Sequence, residues 1–197
     1  MGIKLEQNAQ LEIWLLKYVK RGNKYMAKIL LRPSLLKVRR QSVKWIIIHH
    51  TAEMYLNPSV RIDNPQYQMP GIFNGVLELK QGDVDYHYVV EKIKDDYVGI
   101  VTRPFPYLCE WEDIPVNINN RAVHIGILGN LDFQIPPMRL YQILAYRLVN
   151  PMLKMFGIPP SKVKLHKEVS DDKEVYCPGE FFEKSRLIAQ VRRYIIK

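Results

Sequence analysis

A chain of 197 residues, 47% apolar and 25% charged, has the make-up of one soluble domain with a sizeable core. No apolar run reaches the length of a membrane-spanning helix, and Met1 to Gln10 lack the pattern of a secretory leader, so synthesis in the cytosol is expected. The net charge of +9 lies entirely between Met1 and Lys44, while the remainder is balanced. That split predicts two parts, a basic N-terminal extension over 1–44 and a neutral domain over 45–197.

In chain order, Leu5 to Val19 reads as a helix, with Leu11, Leu15 and Val19 spaced by four and Gly22-Asn23 as its stop. Tyr25 to Leu31 is a short apolar piece, and Leu35 to Arg40 mixes apolar and basic residues. The extension reads either as a basic cover packed on the domain through its leucines or as a segment that binds a polyanion or an anionic surface. Trp45 to Ile48 is a buried strand that ends in His49-His50. Alternation puts Ile47 with His49 on one face and Ile46, Ile48 and His50 on the other. Glu53 to Gly75 is a long irregular region, and Val76 to Leu79 a short strand.

Gly82 to Val90 reads as a strand, with Val84, Tyr86 and Tyr88 on one face and Asp85 and His87 on the other. Tyr97 to Val101 follows as another strand. Arg103 to Pro115 is a loop rich in proline and aromatics. Two cysteines are too few for a disulfide scaffold. Cys109, in that loop with no Cys or His near it in sequence, is expected to be structural. Val123 to Leu128 is a strand closed by Gly129-Asn130. Pro136-Pro137 open a helix whose buried stripe is Leu140, Ile143, Leu144, Leu148, Met152 and Met155. Pro151 is expected to kink or break it, and Gly157 to end it. Val163 and Leu165 alternate with lysines in a short strand leading to His166. The last helix is expected from about Pro178 to Ile196.

Chemistry gathers at strand ends. Histidines there suit metal binding or base catalysis, and equally suit ordinary hydrogen bonding. Cys177 precedes Pro178, a residue favoured at the first helical position, so it is expected at a helix N-cap with Glu180 at the third position. The dipole there would lower the thiol pKa and favour the thiolate that zinc needs. His166 lies eleven residues earlier, and a polar turn from Ser170 to Glu174 would bring the two together.

Five segments in order resemble the zinc amidases that include phage lysozyme-type amidases and the peptidoglycan recognition proteins. His49-His50-Thr51-Ala52 after an apolar strand is similar to their first metal motif. Asp85-Tyr86-His87-Tyr88 resembles G-Y-H-F. Asn119 to Asn130 resembles N-x-x-S-I-G-I-x-L-V-G-N, with His124 in place of the first glycine. Leu165-His166-Lys167-Glu168 resembles G-H-R-D, and Cys177-Pro178-Gly179 resembles the closing C-P-G. The resemblance spans Trp45 to about Phe182.

It implies an α/β fold, a mixed central β-sheet flanked by helices with the site in a surface cleft, and the basic, partly helical extension beyond it. It implies an N-acetylmuramoyl-L-alanine amidase with one Zn2+ held by His49, His166 and Cys177, and with His50 facing away. Tyr86 would hydrogen-bond the attacking water or the developing oxyanion. The family commonly spaces its second histidine eight residues before the cysteine; here three more residues intervene. A lysine often stands two residues before the cysteine; here that place is Val175, and Lys173 would supply the charge. Glu168 reads either as a group orienting a ligand or as a surface carboxylate.

Peptidoglycan is the implied substrate, cut between N-acetylmuramic acid and L-alanine. The implied setting is a phage or prophage lytic enzyme, reaching the wall from the host cytoplasm by lysis, or a virion component meeting other virion proteins. Through 1–44 an anionic wall polymer or membrane surface is an expected partner; nucleic acid is not. The rivals are a non-catalytic peptidoglycan-binding or structural module of the same fold, and a regulatory protein acting through its basic segment.

Overall fold

The computed structural model describes residues 39–51, 86–93, 96–103, 105 and 107–195. The expected helix at Leu5 to Val19, the pieces up to Val38, the irregular region and the strand at Val76 to Leu79 lie outside them, as does the start of the Gly82 strand. Five strands form one mixed sheet: β1 (Trp45–His50), β2 (Tyr88–Ile93), β3 (Asp96–Val101), β4 (Ala122–Ile127) and β5 (Val163–Leu165). Their order is β3-β2-β4-β1-β5, with only the β2–β3 pair antiparallel. The expected mixed sheet with helices is the fold observed.

β1 is the central support. Ile46, Ile47 and Ile48 are completely buried, each contributing about 1.5–3 kcal/mol by its removal from water. Ile46 and Ile48 face the larger core, with Val123, Ile125 and Ile127 of β4 beside them. Helices cover that face. The run from 138 to 156 consists of α2 (Met138–Ile143), a π-helical turn (Leu144–Val149) and α3 (Asn150–Phe156), following the short α1 (Val116–Asn119). Pro151 therefore does not break the helix. Proline removes one backbone donor and crowds the preceding turn, and the wider π turn takes up the mismatch. Gly157 ends α3 at φ +61°, as its position predicts. The opposite face of the sheet carries Ile47, Ala122, Ile114 and Val169 in a smaller core, and this is the face to which His49 belongs.

Two expectations fail locally. β2 begins at Tyr88, not before Tyr86. The His87 carbonyl accepts N–H bonds from both Thr102 (3.0 Å) and Arg103 (3.2 Å), the two-against-one pairing of a bulge. The extra residue lies on the Thr102–Arg103 side, and on the facing segment the alternation also fails: Tyr88 enters the larger core while the Tyr86 ring lies against Gly126 on the other face. The last helix, α4 (Lys184–Ile195), starts well after Pro178. The backbone N–H groups of Glu180 and Phe181 bond instead to the Asp132 carboxylate (3.0 Å) and the Leu131 carbonyl (3.1 Å). Gly179, at φ +102°, sits where a Cβ would come within 2.5 Å of the Leu131 backbone.

Packing begins ahead of β1. Arg39 is buried, and its guanidinium donates to the carbonyls of Phe105 (2.9 Å), Asn120 (2.8 Å) and Ala122 (2.6 Å). Burial lowers its pKa to about 10, which leaves it charged at neutral pH. Val43 joins the larger core. Among the described residues, no helix is long and apolar enough to cross a membrane.

Candidate metal centre

β1 and β4 run parallel with Ile47 opposite His124 and His49 opposite Gly126. The missing side chain at Gly126 makes room, since a Cβ there would stand 2.8 Å from the Tyr86 ring. His49 is completely buried at the end of β1. Its Nε2 lies 2.9 Å from His124 Nδ1, and its Nδ1 faces Cys177 Sγ at 3.8 Å. His166 follows β5 in a 3-10 turn (His166–Glu168), with its ring centroid 4.5 Å from that of His49. The bond from Lys167 N–H to the Cys177 carbonyl (2.9 Å) closes the intervening loop and brings the thiol alongside. One nitrogen of each of these two histidines and Cys177 Sγ all lie within 4.8 Å of one another.

The loop before α1 completes the site. Trp111 stacks on His49 at 4.4 Å and meets His166 edge-on at 5.0 Å. Asp113 Oδ2 lies 2.7 Å from His166 Nε2, though off the hydrogen-bonding line, and accepts a bond from the Ser170 hydroxyl (2.7 Å). The Asp113 carbonyl accepts from Asp171 N–H (2.7 Å). This one loop thus supports His166 and anchors the turn that carries the three additional residues.

Burial is the main cause of every shift here. It pushes His49 well below the usual histidine pKa, helped by His124, His166 and His50, so His49 is neutral at pH 7. Burial also lowers His166, while Asp113 pulls it back up. Cys177 corrects the expectation of a lowered pKa. Burial pushes its thiol up to about 12, with Asp113 and Asp132 adding to the effect and the His50 N–H opposing it. With α4 starting at Lys184, Cys177 is not at a helix N-cap and no helix dipole acts on it.

The donors nevertheless fit zinc. Two neutral imidazoles and one thiol form a borderline-soft set of three, which leaves an open position as catalytic zinc sites do. Neither buried ring nitrogen of His166 has a hydrogen-bond partner among the described residues, so with Nε2 beside Asp113 the Nδ1 atom is open to a ligand.

Residues 39–180 match the family model of N-acetylmuramoyl-L-alanine amidase. The chain belongs to this amidase family. Its fold is similar to that of N-acetylmuramoyl-L-alanine amidase LysC from Clostridium intestinale, with a TM-score of 0.53 and 20% identity over 77% of this chain and 86% of that one. It is also similar to the Ph2119 endolysin of a Thermus scotoductus bacteriophage, with a TM-score of 0.51 and 19% identity over 80% and 90% of the two chains. A selenomethionine derivative of AmpD aligns with a TM-score of 0.58 and 16% identity over 85% and 95%. At these identities the likeness is one of fold. A search of curated sequences gave no significant match.

The other candidate residues fall out as follows. The Tyr86 hydroxyl donates to the His50 carbonyl (3.2 Å), the same oxygen that Cys177 Sγ approaches at 3.9 Å, and its ring stands edge-on to His49. His50 faces the other way, its Nδ1 accepting from Leu131 N–H (3.1 Å). Lys173 is exposed in the turn, and among the described residues no hydrogen bond or ion pair directs it toward the cluster. Glu168 bonds Leu165 N–H and Lys184, so it fastens β5 to α4 and does not orient a ligand. Cys109, though alone in sequence, is 3.1 Å from His87 Nδ1 in the fold.

Sequence reasoning missed Asp113 and Trp111 and assigned His124 no role. Only His124 carried a usable signal: an imidazole inside an otherwise apolar strand, beside β1.

Proposed function

We propose that this chain is a zinc-dependent peptidoglycan hydrolase that cuts the amide between N-acetylmuramic acid and L-alanine. The observation that carries the reading is the convergence of His49, His166 and Cys177 within 4.8 Å in a member of the amidase family. When bound, zinc would polarise the scissile carbonyl and lower the pKa of a water toward about 7. His49 and His166 would hold it through Nδ1, because the Nε2 atoms already face His124 and Asp113. Cys177 must first release its proton, so metal binding weakens as pH falls. Trp111 covers the His49 ring and keeps water from that side. The Tyr86 hydroxyl is the donor available to the developing oxyanion, exchanging its bond to the His50 carbonyl for one to substrate.

A second reading, a binding module of the same fold, draws on the exposed Lys173 and on Val175 where a family lysine often stands. Zinc content measured together with release of L-alanine N-termini from purified cell wall decides between them. Zinc with release supports the hydrolase; zinc without release supports the module.

The setting we infer is a phage or prophage lytic enzyme that reaches the wall from the host cytoplasm by lysis, or a component carried in a virion. The fold likeness to endolysins supports it. The basic extension would tether the domain to an anionic wall polymer or membrane surface. The buried Arg39 refines the test: deletion of residues 1–38 should spare turnover of a small soluble muropeptide and remove salt-sensitive wall binding, whereas deletion through Arg40 also takes out a core contact. Unchanged wall binding after the shorter deletion would refute the tether.

A further inference from the structure

His49 reaches the cluster with one nitrogen and His124 with the other, and the contact between the two rings holds a single proton. A neutral imidazole has one N–H. If the proton lies on His124 Nδ1, His49 must carry its own on Nδ1, pointing toward Cys177 Sγ at 3.8 Å, and has no lone pair for a cation. If the proton lies on His49 Nε2, then His124 Nδ1 accepts it at 2.9 Å and the His49 Nδ1 lone pair is free. Only the second arrangement makes His49 a ligand.

The fold holds His124 for this task. Its backbone N–H donates to His87 Nδ1 (3.0 Å), and its ring stacks on His87 at 5.7 Å and 11°. Its Nε2 is buried with no partner among the described residues, so the contact to His49 is the ring's one side-chain hydrogen bond there. The same strand position is glycine in the motif that this strand resembles, so the imidazole is a feature of this chain.

We propose that His124 is a positioning residue that makes His49 a metal ligand by accepting a hydrogen bond from its Nε2–H, an inference that rests on the zinc reading above. His166 is backed by the Asp113 carboxylate, and His49 by a neutral imidazole in the same place. Partners behind metal-bound histidines are typically worth about 10- to 100-fold in metal affinity.

The test needs no activity measurement. In metal-free, 15N-histidine-labelled full-length protein, long-range proton–nitrogen correlation spectra resolve the five histidines and their tautomers. The expected result is His49 in the Nε2–H form. Zinc affinity, read by chelator competition, should fall about 10- to 100-fold in His124→Leu. It should return to within about threefold of wild type in His124→Asn, whose side-chain oxygen can stand in for Nδ1. His49 found with its proton on Nδ1, or equal zinc affinity in His124→Leu and wild type, would overturn the proposal. So would equal losses in both variants with unchanged circular dichroism. A wild-type protein that takes up no zinc would instead defeat the zinc reading, while the tautomer measurement would still judge His124.

Discussion

The two halves of the candidate centre are built differently. His49 and His124 stand on neighbouring parallel strands, fully buried, with ring positions set by sheet register. His166 and Cys177 stand on a 3-10 turn and a loop, placed by single bonds: Lys167 to Cys177, Ser170 and Asp171 to Asp113. The strand half is preformed by the core. The loop half depends on a few polar contacts between loops, and a bound cation would join it to the sheet. Metal loss should therefore loosen residues 166–177 before it disturbs β1 and β4.

The most severe break is Cys177→Ser. It removes the only sulfur of the cluster, and we expect loss of both zinc and hydrolysis, checked by metal analysis and L-alanine release. Retention of both would remove Cys177 from the site. Tyr86→Phe probes the strand side next. It should lower kcat by about 10²- to 10³-fold with zinc retained, as for loss of one oxyanion donor. A smaller effect would show that the hydroxyl serves only the His50 carbonyl.

Asp113→Asn sharpens the loop side. Zinc affinity should fall about 10- to 100-fold, with exchange of the backbone amides at 166–177 becoming faster. Acid probes the strand side in the metal-free protein. His49, His87 and His124 are held well below 6.5, chiefly by burial. Below about pH 6.5 the unfolded chain therefore binds protons that the folded chain refuses, and stability falls as pH falls. Each such histidine costs about 1.4 kcal/mol per pH unit, or tenfold in the folding equilibrium. Urea unfolding at pH 7.5 and 5.5 checks this, and equal midpoints would contradict it. Lys173→Ala should be the mildest change, within about twofold in kcat, because the side chain is exposed. A large loss would bring that lysine into the chemistry.

This contrast also explains what was legible in the sequence. β1 was readable because three isoleucines and the alternation of Ile47, His49 and His50 admit one arrangement against a two-sided core. β4, β5 and the end of α3 at Gly157 followed from equally local patterns. His49, His166 and Cys177, which the fold brings within 4.8 Å of one another, were picked out through motif order. Tyr86 was grouped with Tyr88 because strict alternation was carried through 86–88, where the pairing is irregular: His87 faces both Thr102 and Arg103, well away in the chain. Cys177 was given a helix cap because a proline followed it. The N–H groups that would have opened that helix go to Leu131 and Asp132, a pairing that no local pattern announces. Asp113 was indistinguishable from Glu110 and Glu112 until the fold set it beside His166.

The central claim is that strand and loop halves meet at one zinc. X-ray absorption at the zinc edge of the purified, zinc-loaded full-length protein tests it most directly. One zinc per chain is expected, with a single sulfur at about 2.3 Å and nitrogen or oxygen neighbours at about 2.0–2.1 Å. A zinc shell without sulfur, or a protein that retains no zinc, would contradict it.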